Sequence, residues 1–270
     1  MDTRIVGRSA ETVALHACLA AERHVLLEGP VGVGKTALAR AVCGELGRPL
    51  VRVDGDGRYT ESKLVGMFDP PAVLSSGYKV ENFIDGPLVS AMRQGGVLFL
   101  NELNRMPEGV QNVLLPALDE GRIQVPHLGE IRAARGFAVV ATQNPAEFVA
   151  TGALSEALLD RFELVRLDYQ DEGEERGIVA QEARSAPDAA TIAHAVAIAR
   201  QTRVDPRVRR GASVRAAIAI ADIAARLGGD VLRAAQLALP TRIELVDPSA
   251  TPMGALVEDL AKKAGVEAHR

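Results

Sequence analysis

The segment Gly29 to Thr36 has the residue types and spacing of a loop that binds phosphate. It reads G-P-V-G-V-G-K-T and fits the pattern G-x-x-x-x-G-K-S/T, between an apolar run and a helical pattern. Glycines let successive backbone N–H groups turn toward a phosphate, and the helix that follows adds its positive N-terminal dipole. The lysine can reach the β- and γ-phosphates, and the threonine hydroxyl suits Mg²⁺. We predict that ATP is bound by Gly29, Pro30, Val31, Gly32, Val33, Gly34, Lys35 and Thr36; a plain glycine turn into a helix is the alternative.

A second polar pair, Asn101-Glu102, follows the buried run Val97 to Leu100. Ligands of open parallel sheets bind outside the carboxyl ends of the strands, so this pair is expected beside the phosphate-binding loop. A carboxylate there can orient or deprotonate the water that attacks the γ-phosphate. We therefore predict that Glu102 is catalytic. An exposed glutamate that merely ends a strand is the alternative.

The elements that must position these residues are short apolar strands separated by helical patterns. Near-continuous apolar runs of this length are typical of strands covered on both faces, and their alternation with helices indicates an α/β fold with a largely parallel sheet. Helical stretches are predicted at 36–46 and 107–120. The five candidate strands are 24–28, 50–53, 97–100, 137–142 and 162–167.

The composition changes near Tyr169, after which alanine dominates. Apolar residues then recur at helical spacing, and the only strand pattern expected is 242–246. We predict an α/β nucleotide-binding core over 1–172 and a small α-helical domain over 173–270.

The overall composition limits the partners that we expect. Hydrophobic residues make up 47%, the net charge is -4 and the pI is about 5.8. Aromatic residues make up only 3%, without tryptophan, so neither a basic excess nor stacking platforms favour nucleic acid as a partner.

Two cysteines and five histidines show no metal-ligand spacing. Cys18 and Cys43 are expected to be small packed residues in a reducing compartment, and His24 and His194 to be packed rather than ligating. Neither an apolar segment behind a basic start nor a membrane-length apolar run is visible, so a cytoplasmic location is expected.

Several motifs in order along the chain resemble the MoxR group of AAA+ ATPases. Besides the phosphate-binding loop, they are L-F-L-N-E-L-N-R at 98–105, A-T-Q-N-P at 141–145, L-L-D-R-F at 158–162 and G-A-S-V-R-A at 211–216. The resemblance extends from Val6-Gly7 to about Ile243. It implies an AAA+ core with a parallel five-stranded sheet and a C-terminal α-helical lid domain.

The resemblance also implies roles for residues outside the loop. Val6 and Gly7 correspond to the stretch that lies against the adenine, and Asn144 to sensor 1, between the γ-phosphate and the water. Arg161 corresponds to the arginine finger that acts on the neighbouring subunit's nucleotide, and Arg215 to sensor 2 of the lid. The alternatives are a turn asparagine before Pro145 and two surface arginines paired with nearby carboxylates.

Two insertions are implied by the same resemblance. A β-hairpin insert within the second core helix is expected over about 54–92, and a hairpin before sensor 1 over about 122–136. Relatives form rings, usually hexamers, in which these hairpins face the central pore. They are thought to remodel client proteins in the maturation of metalloenzymes, often with a von Willebrand A-domain partner.

One departure concerns the second motif, which usually reads Asp-Glu in the family and here reads Asn101-Glu102. Asparagine keeps an oxygen that can act as a Mg²⁺ ligand beside Thr36 but lacks the charge, so weaker Mg²⁺ binding and slower hydrolysis are expected. A nucleotide-gated assembly switch with weak hydrolysis therefore stays open as an alternative. A DNA-dependent motor is disfavoured by the acidic composition.

Overall fold

The computed structural model describes residues 5–144 and 154–266, which form two compact units. The first unit comprises residues 5–30 and 34–168, and the second comprises residues 31–33 and 169–266. Among the described residues, no helix has the length and apolar character that a membrane span requires.

The first unit is built on a parallel sheet of five strands in the order β2-β5-β8-β1-β9. This arrangement confirms the predicted fold, and the strands lie within a residue or two of the predicted bounds. The strands of this unit are β1 Val25–Glu28, β2 Leu50–Asp54, β3 Gly66–Phe68, β4 Phe83–Asp85, β5 Val97–Asn101, β6 Arg122–Val125, β7 Gly129–Arg132, β8 Ala138–Gln143 and β9 Glu163–Arg166.

Helices cover this sheet and are joined to it by short loops. They are α1 Ser9–Ala20, α2 Lys35–Glu45, α3 Glu61–Val65, α4 Pro70–Ser76, α5 Pro87–Gln94, α6 Glu108–Asn112, α7 Leu115–Glu120 and α8 Glu156–Leu159. Strand β5, which lies between β2 and β8, is fully buried from Val97 to Leu100, which is why its sequence is apolar without alternation.

The single helix predicted over 107–120 is wrong, because the structure forms α6 and α7 in its place. Pro116 lies in the first turn of α7. A proline has no backbone N–H to donate to the carbonyl four residues earlier, and its ring crowds that carbonyl. That residue is Asn112, where α6 ends.

Two antiparallel strand pairs project from the helical connections. Strands β3 and β4 pair within the region 54–92 and enclose α4, and β6 pairs with β7 within the region 122–136. Rings connect the two regions: Phe68 of β3 makes an edge-to-face contact with Tyr78, and the Tyr78 ring stacks on His127, between β6 and β7, with centroids 4.1 Å apart.

The second unit is mainly helical. Its elements are α9 Glu172–Glu182, α10 Ala189–Val204, β10 Val208–Arg210, α11 Val214–Arg226, α12 Val231–Ala238, β11 Glu244–Leu245 and α13 Met253–Lys263. Its core is rich in buried alanine, which lets the helices approach closely. The predicted strand over 242–246 is present as the shorter β11, and its partner β10 was not predicted.

His24 packs at the start of β1, as expected. The ring accepts a hydrogen bond at Nδ1 from the Val139 backbone N–H across 3.0 Å, so Nε2 carries the proton and donates to the Leu118 carbonyl across 3.1 Å. Burial lowers the pKa of His24. Cys43 is buried and Cys18 is half-buried, and both are free thiols.

Candidate functional site

The phosphate-binding loop connects β1 to α2 and begins against the end of β9. A Cβ atom on Gly29 would lie 2.1 Å from the Leu167 carbonyl oxygen, so only glycine fits at this position. Gly32 and Gly34 have φ angles of 80° and 93°, which glycine adopts without strain. Gly34 directly precedes Lys35, so the first N–H groups of α2 face the loop.

Two side chains at the start of α2 supply the charge and the hydroxyl group that the sequence predicted. The Lys35 Nζ atom donates to the carbonyl oxygens of Gly29 and Pro30 across 2.6 and 2.9 Å, which holds the amine over the loop. Thr36 is the next residue of the helix and is partly exposed. A cation on the concave side of a loop of N–H groups suits a polyphosphate ligand.

Val6 and Gly7 lie before α1 and are followed by an arginine that sequence reasoning missed. Gly7 and Arg8 both have left-handed backbone angles, with φ of 66° and 62°. The buried Arg8 side chain pairs with Glu11 across 2.6 Å and donates to the Asp168 carbonyl oxygen. Arg8 therefore ties the Val6-Gly7 stretch to the chain that leaves β9, and the contact of this stretch with adenine stays a prediction.

The second motif is held by a network across the ends of three adjacent strands. Asn101 Nδ2 donates to Asp54 Oδ1 across 2.9 Å, and the Thr142 hydroxyl donates to Asn101 Oδ1 across 3.1 Å. The same Thr142 oxygen accepts a hydrogen bond from the Glu102 backbone N–H across 2.8 Å. Asp54 ends β2, Asn101 ends β5 and Thr142 lies in β8.

Asp54 is held from its other side by Arg52, which donates to both carboxylate oxygens at 2.7 to 3.2 Å. This hydrogen bonding from Arg52 is the main reason that the pKa of the Asp54 carboxyl lies below its ordinary value, although partial desolvation opposes it. The carboxylate is therefore ionised at neutral pH.

Glu102 has a left-handed backbone, with φ of 57° and ψ of 53°. Its carbonyl oxygen lies against Gly55, where a Cβ atom would be only 2.2 Å away. The Glu102 side chain extends to Arg105, whose guanidinium donates to Oε2 across 2.7 Å. The backbone is thus fixed by Gly55 and Thr142, and the carboxylate by Arg105.

Asn144 directly follows β8 and is only 5% exposed. Strand β8 lies between β5 and β1, so Glu102, Asn144 and the phosphate-binding loop emerge from neighbouring strands at one edge of the sheet. The structure thus brings these three predicted site elements to a common edge. Pro145, the last residue of the predicted sensor 1 motif, lies outside the described residues.

Arg161 does not join that edge. It precedes β9, whose Glu163 pairs with Val25 at the start of β1, whereas the phosphate-binding loop follows the end of β1. Arg161 donates to both carboxylate oxygens of Asp119 across 2.6 and 2.7 Å, and this pairing raises the pKa of Arg161. Arg161 and the loop of its own chain lie at opposite ends of the strands. Asp119 is a nearby carboxylate partner of the kind that the alternative expected, and the arginine-finger role stays a prediction.

Arg215 is the second residue of α11 in the helical unit and is exposed. Its sensor 2 role stays a prediction.

The residues at the sheet edge fit Mg²⁺. Within the described residues, no group of three or more His, Cys, Asp or Glu side chains could hold a metal unaided. Mg²⁺ usually keeps several waters and takes one or two protein oxygens beside the substrate phosphates. The Thr36 hydroxyl and the Asn101 amide oxygen are donors of that kind.

The sequence of the chain is similar to those of known proteins. The sequence profile described as "AAA domain (dynein-related subfamily)" matches residues 24–162. An uncharacterized protein of Staphylococcus epidermidis is 32% identical over 208 residues, which cover 75% of this chain and 78% of the relative. The gas vesicle ATPase GvpN2 of Halobacterium salinarum is 31% identical over 222 residues, or 76% of this chain and 63% of the relative.

Solved structures support the fold. A mutant form of RuvB from Thermotoga maritima superimposes with a TM-score of 0.57 at 19% identity, covering 98% of this chain and 85% of the other. At this level of identity the likeness is one of fold alone.

Proposed function

The chain belongs to the AAA domain family, dynein-related subfamily, and on this premise we propose that it couples Mg²⁺-dependent ATP hydrolysis to the remodelling of a client protein. The observation that carries the proposal is the convergence of the phosphate-binding loop, Glu102 and Asn144 at one edge of the sheet. A nucleotide bound at this edge would meet a cation, a carboxylate and an amide, which together suit phosphoryl transfer to water.

Each residue has a chemical role in this proposal. The loop N–H groups and Lys35 bind the β- and γ-phosphates, and Thr36 and Asn101 provide oxygen ligands for Mg²⁺. Mg²⁺ neutralises charge on the phosphates when it is bound. Glu102 orients the attacking water and accepts its proton, and Asn144 holds that water against the γ-phosphate.

Two arginines complete the site in the assembled protein. Arg161 of a neighbouring subunit stabilises the charge of the transition state, which requires a ring-forming homo-oligomer, and we propose a hexamer. Arg215 links the helical unit to the phosphates, and Val6 and Gly7 contact the adenine. Hydrolysis removes the γ-phosphate that Arg161 and Arg215 contact, so the protein shifts from its ATP-bound to its ADP-bound conformation.

The proposal of a protein client draws on two similarities, one to the MoxR group and one to gas vesicle ATPases. The MoxR resemblance suggests a metalloenzyme under maturation, with a von Willebrand A-domain partner. The relatives include gas vesicle ATPases of Halobacterium salinarum and Haloferax mediterranei. We propose that this chain acts on a protein client, and we propose a cytoplasmic site of action.

The decisive experiment compares phosphate release by the wild-type chain and by Glu102→Gln, with ATP and Mg²⁺. Wild-type turnover that the variant lacks supports the proposal, and equal phosphate release by both refutes the catalytic role. The Glu102→Gln variant retains ATP, so a pull-down with it in ATP and in ADP identifies proteins held only in the ATP state.

Asn101 favours a second candidate function, an ATP-gated assembly switch with weak hydrolysis. Its amide lacks the charge that usually stands at this position. Sedimentation and phosphate release, both measured with ATP, separate the two candidates together, because a switch forms rings in ATP without measurable phosphate release.

A further inference from the structure

The Asn101 amide lies between a carboxylate, which needs a hydrogen-bond donor, and a hydroxyl, which donates to an acceptor. Asp54 Oδ1 is 2.9 Å from Nδ2 and can only accept, while the Thr142 hydroxyl is 3.1 Å from Oδ1 and donates to it. The strand register places Asp54 and Asn101 side by side, because they are direct partners in the pairing of β2 with β5. An amide satisfies both neighbours at once.

An aspartate at position 101 would not satisfy them. Its oxygens would face the Asp54 carboxylate at hydrogen-bond distance with no proton between them, and like charges this close repel. The usual Asp-Glu motif would therefore place two carboxylates against each other at the ends of β2 and β5. The Asn101 departure has a physical reason in this chain.

We propose that Asp54 is a positioning residue for the ATPase site and that Asp54 and Asn101 are a matched pair, in which Asp54 carries the negative charge that the motif usually has at position 101. This inference rests on the proposed function, since it concerns the same site. Asp54 orients the amide so that Oδ1 faces Thr142. Through Thr142, the same network holds the backbone N–H of Glu102.

Arg52 belongs to this arrangement. It pairs with Asp54 across 2.7 Å on the same face of β2, two residues earlier, and fixes the carboxylate rotamer that Asn101 contacts. The pair Arg52-Asp54 is largely exposed, so a role in core stability does not explain it. The pair Asp54-Asn101 carries one negative charge in total. The usual motif would carry the same charge, with the aspartate at position 101 and a neutral residue at position 54.

The test is a charge-exchange cycle of Asp54→Asn, Asn101→Asp and the double variant, with Asp56→Asn as the control. Asp56 is exposed two residues further along, so its substitution removes the same charge without touching Asn101. The melting temperature is measured without nucleotide. The Mg²⁺ concentration for half-maximal binding of a fluorescent ATP analogue, kcat and KM are then measured for every variant.

Asn101→Asp is expected to lower the melting temperature by about 2–4 °C, and the double variant to restore it. Asp54→Asn is expected to raise the half-saturating Mg²⁺ concentration by about 10-fold or more, as loss of a residue that orients a metal ligand does. The double variant returns this value toward wild type, and kcat changes more than KM.

The matched pair is refuted if Asn101→Asp alone equals or exceeds wild type in stability and Mg²⁺ affinity, or if Asp54→Asn behaves like Asp56→Asn. If Asn101→Asp does not fold, the comparison of Asp54→Asn with Asp56→Asn decides alone. Failure of the proposed function is distinguishable: without turnover, the nucleotide-free melting cycle still reports the coupling of positions 54 and 101.

Discussion

The guanidinium of Arg105 donates to the Glu102 carboxylate across 2.7 Å, three residues after it in the short turn Leu103–Arg105. The catalytic candidate is thus held by its own chain segment, while its backbone is fixed by Thr142 from another strand. The two restraints act on different parts of one residue, which is how a carboxylate is kept in a single orientation toward a water.

Removing this restraint is expected to slow hydrolysis. The Arg105→Ala variant leaves the Glu102 backbone in place but frees its side chain, so we expect kcat to fall by up to about 100-fold with KM little changed. Steady-state phosphate release measures both constants. Arg58→Ala is the matched control, since Arg58 is 92% exposed near the same edge. A normal kcat in Arg105→Ala would show that Arg105 does not orient Glu102.

Arg161 offers a test of action between subunits. Because Arg161 and the loop of its chain lie at opposite ends of the strands, Arg161→Ala is expected to lower kcat by about 10³-fold or more, as loss of an arginine finger does. ATP binding by the single chain should be unchanged.

Mixing two inactive variants tests the action of Arg161 between subunits through a gain of activity. Glu102→Gln and Arg161→Ala are each expected to be inactive, and a mixture should recover activity, because some interfaces then combine an intact Glu102 with a neighbour's intact Arg161. Phosphate release as a function of mixing ratio measures this recovery. As the control, a chain that combines Arg161→Ala with Lys35→Ala replaces Arg161→Ala and should give no recovery. Absence of recovery at every ratio in the first mixture would contradict action across the interface.

Lys35 is expected to determine ATP affinity. Its amine is already held over the loop by the Gly29 and Pro30 carbonyls, so Lys35→Ala removes a preorganised charge. The loss in binding free energy should be about 1.5–3 kcal/mol, typical of a hydrogen bond to a charged group. Titration of a fluorescent ATP analogue measures it, and the exposed Lys63→Ala is the control. Equal affinities for the two variants would exclude Lys35 from phosphate binding.

The stability of the protein is expected to fall below neutral pH through His24. Burial lowers the pKa of His24 in the folded state, so the unfolded state binds a proton first. The contribution of neutral His24 is therefore present above its unfolded pKa of about 6.5 and is lost as the pH falls through the lowered folded pKa. Protonation would also place an N–H at Nδ1 against the Val139 N–H.

Melting temperatures between pH 7.5 and 5 test this expectation for wild type and His24→Gln, with the exposed His16→Gln as the control. The variant lacking His24 should have a lower melting temperature at pH 7.5 and a flatter decline on acidification. Parallel declines in all three proteins would show that other groups cause the acid sensitivity.

The elements of the core were predictable because their signals are local. The run Val97 to Leu100 is continuous in apolar residues and is buried on both faces, and the Gly29 to Thr36 pattern specifies its own turn and helix start. Pro116 carried a local signal for the break between α6 and α7 that the periodicity concealed. The strand β10 has only three residues and forms through its pairing with β11, so its own sequence has too short a pattern to predict it.

The residues around the second motif were not predictable in the same way. Asp54, Thr142 and Arg8 lie 47, 41 and 160 residues from the partners that they bond. Their meeting depends on the register of strands that are distant in sequence. A polar residue in an otherwise apolar run, such as Thr142, is the one hint that the sequence gives of such a network.

A buried carboxylate in the helical unit forms ion pairs with two arginines. Glu175 is 2% exposed and accepts from Arg203 across 2.7 Å and from Arg200 across 3.2 Å, while the Arg203 guanidinium also lies 3.9 Å from the centre of the Tyr169 ring. Removing one member of a buried pair leaves the other charge without compensation. Glu175→Ala is therefore expected to lower the free energy of unfolding of this unit by about 3–5 kcal/mol.

The control for this prediction lies one turn earlier on the same helix. Glu172 pairs with Arg176 in the exposed i, i+4 arrangement, which is worth about 0.3–0.5 kcal/mol, so Glu172→Ala removes an equal charge at little cost. Urea unfolding followed by circular dichroism compares the two variants with wild type. A shift for Glu175→Ala no larger than that for Glu172→Ala would mean that the arginines find water or other acceptors when Glu175 is lost. A large shift confined to Glu175→Ala shows that the ion pairs of Glu175 stabilise the helical unit.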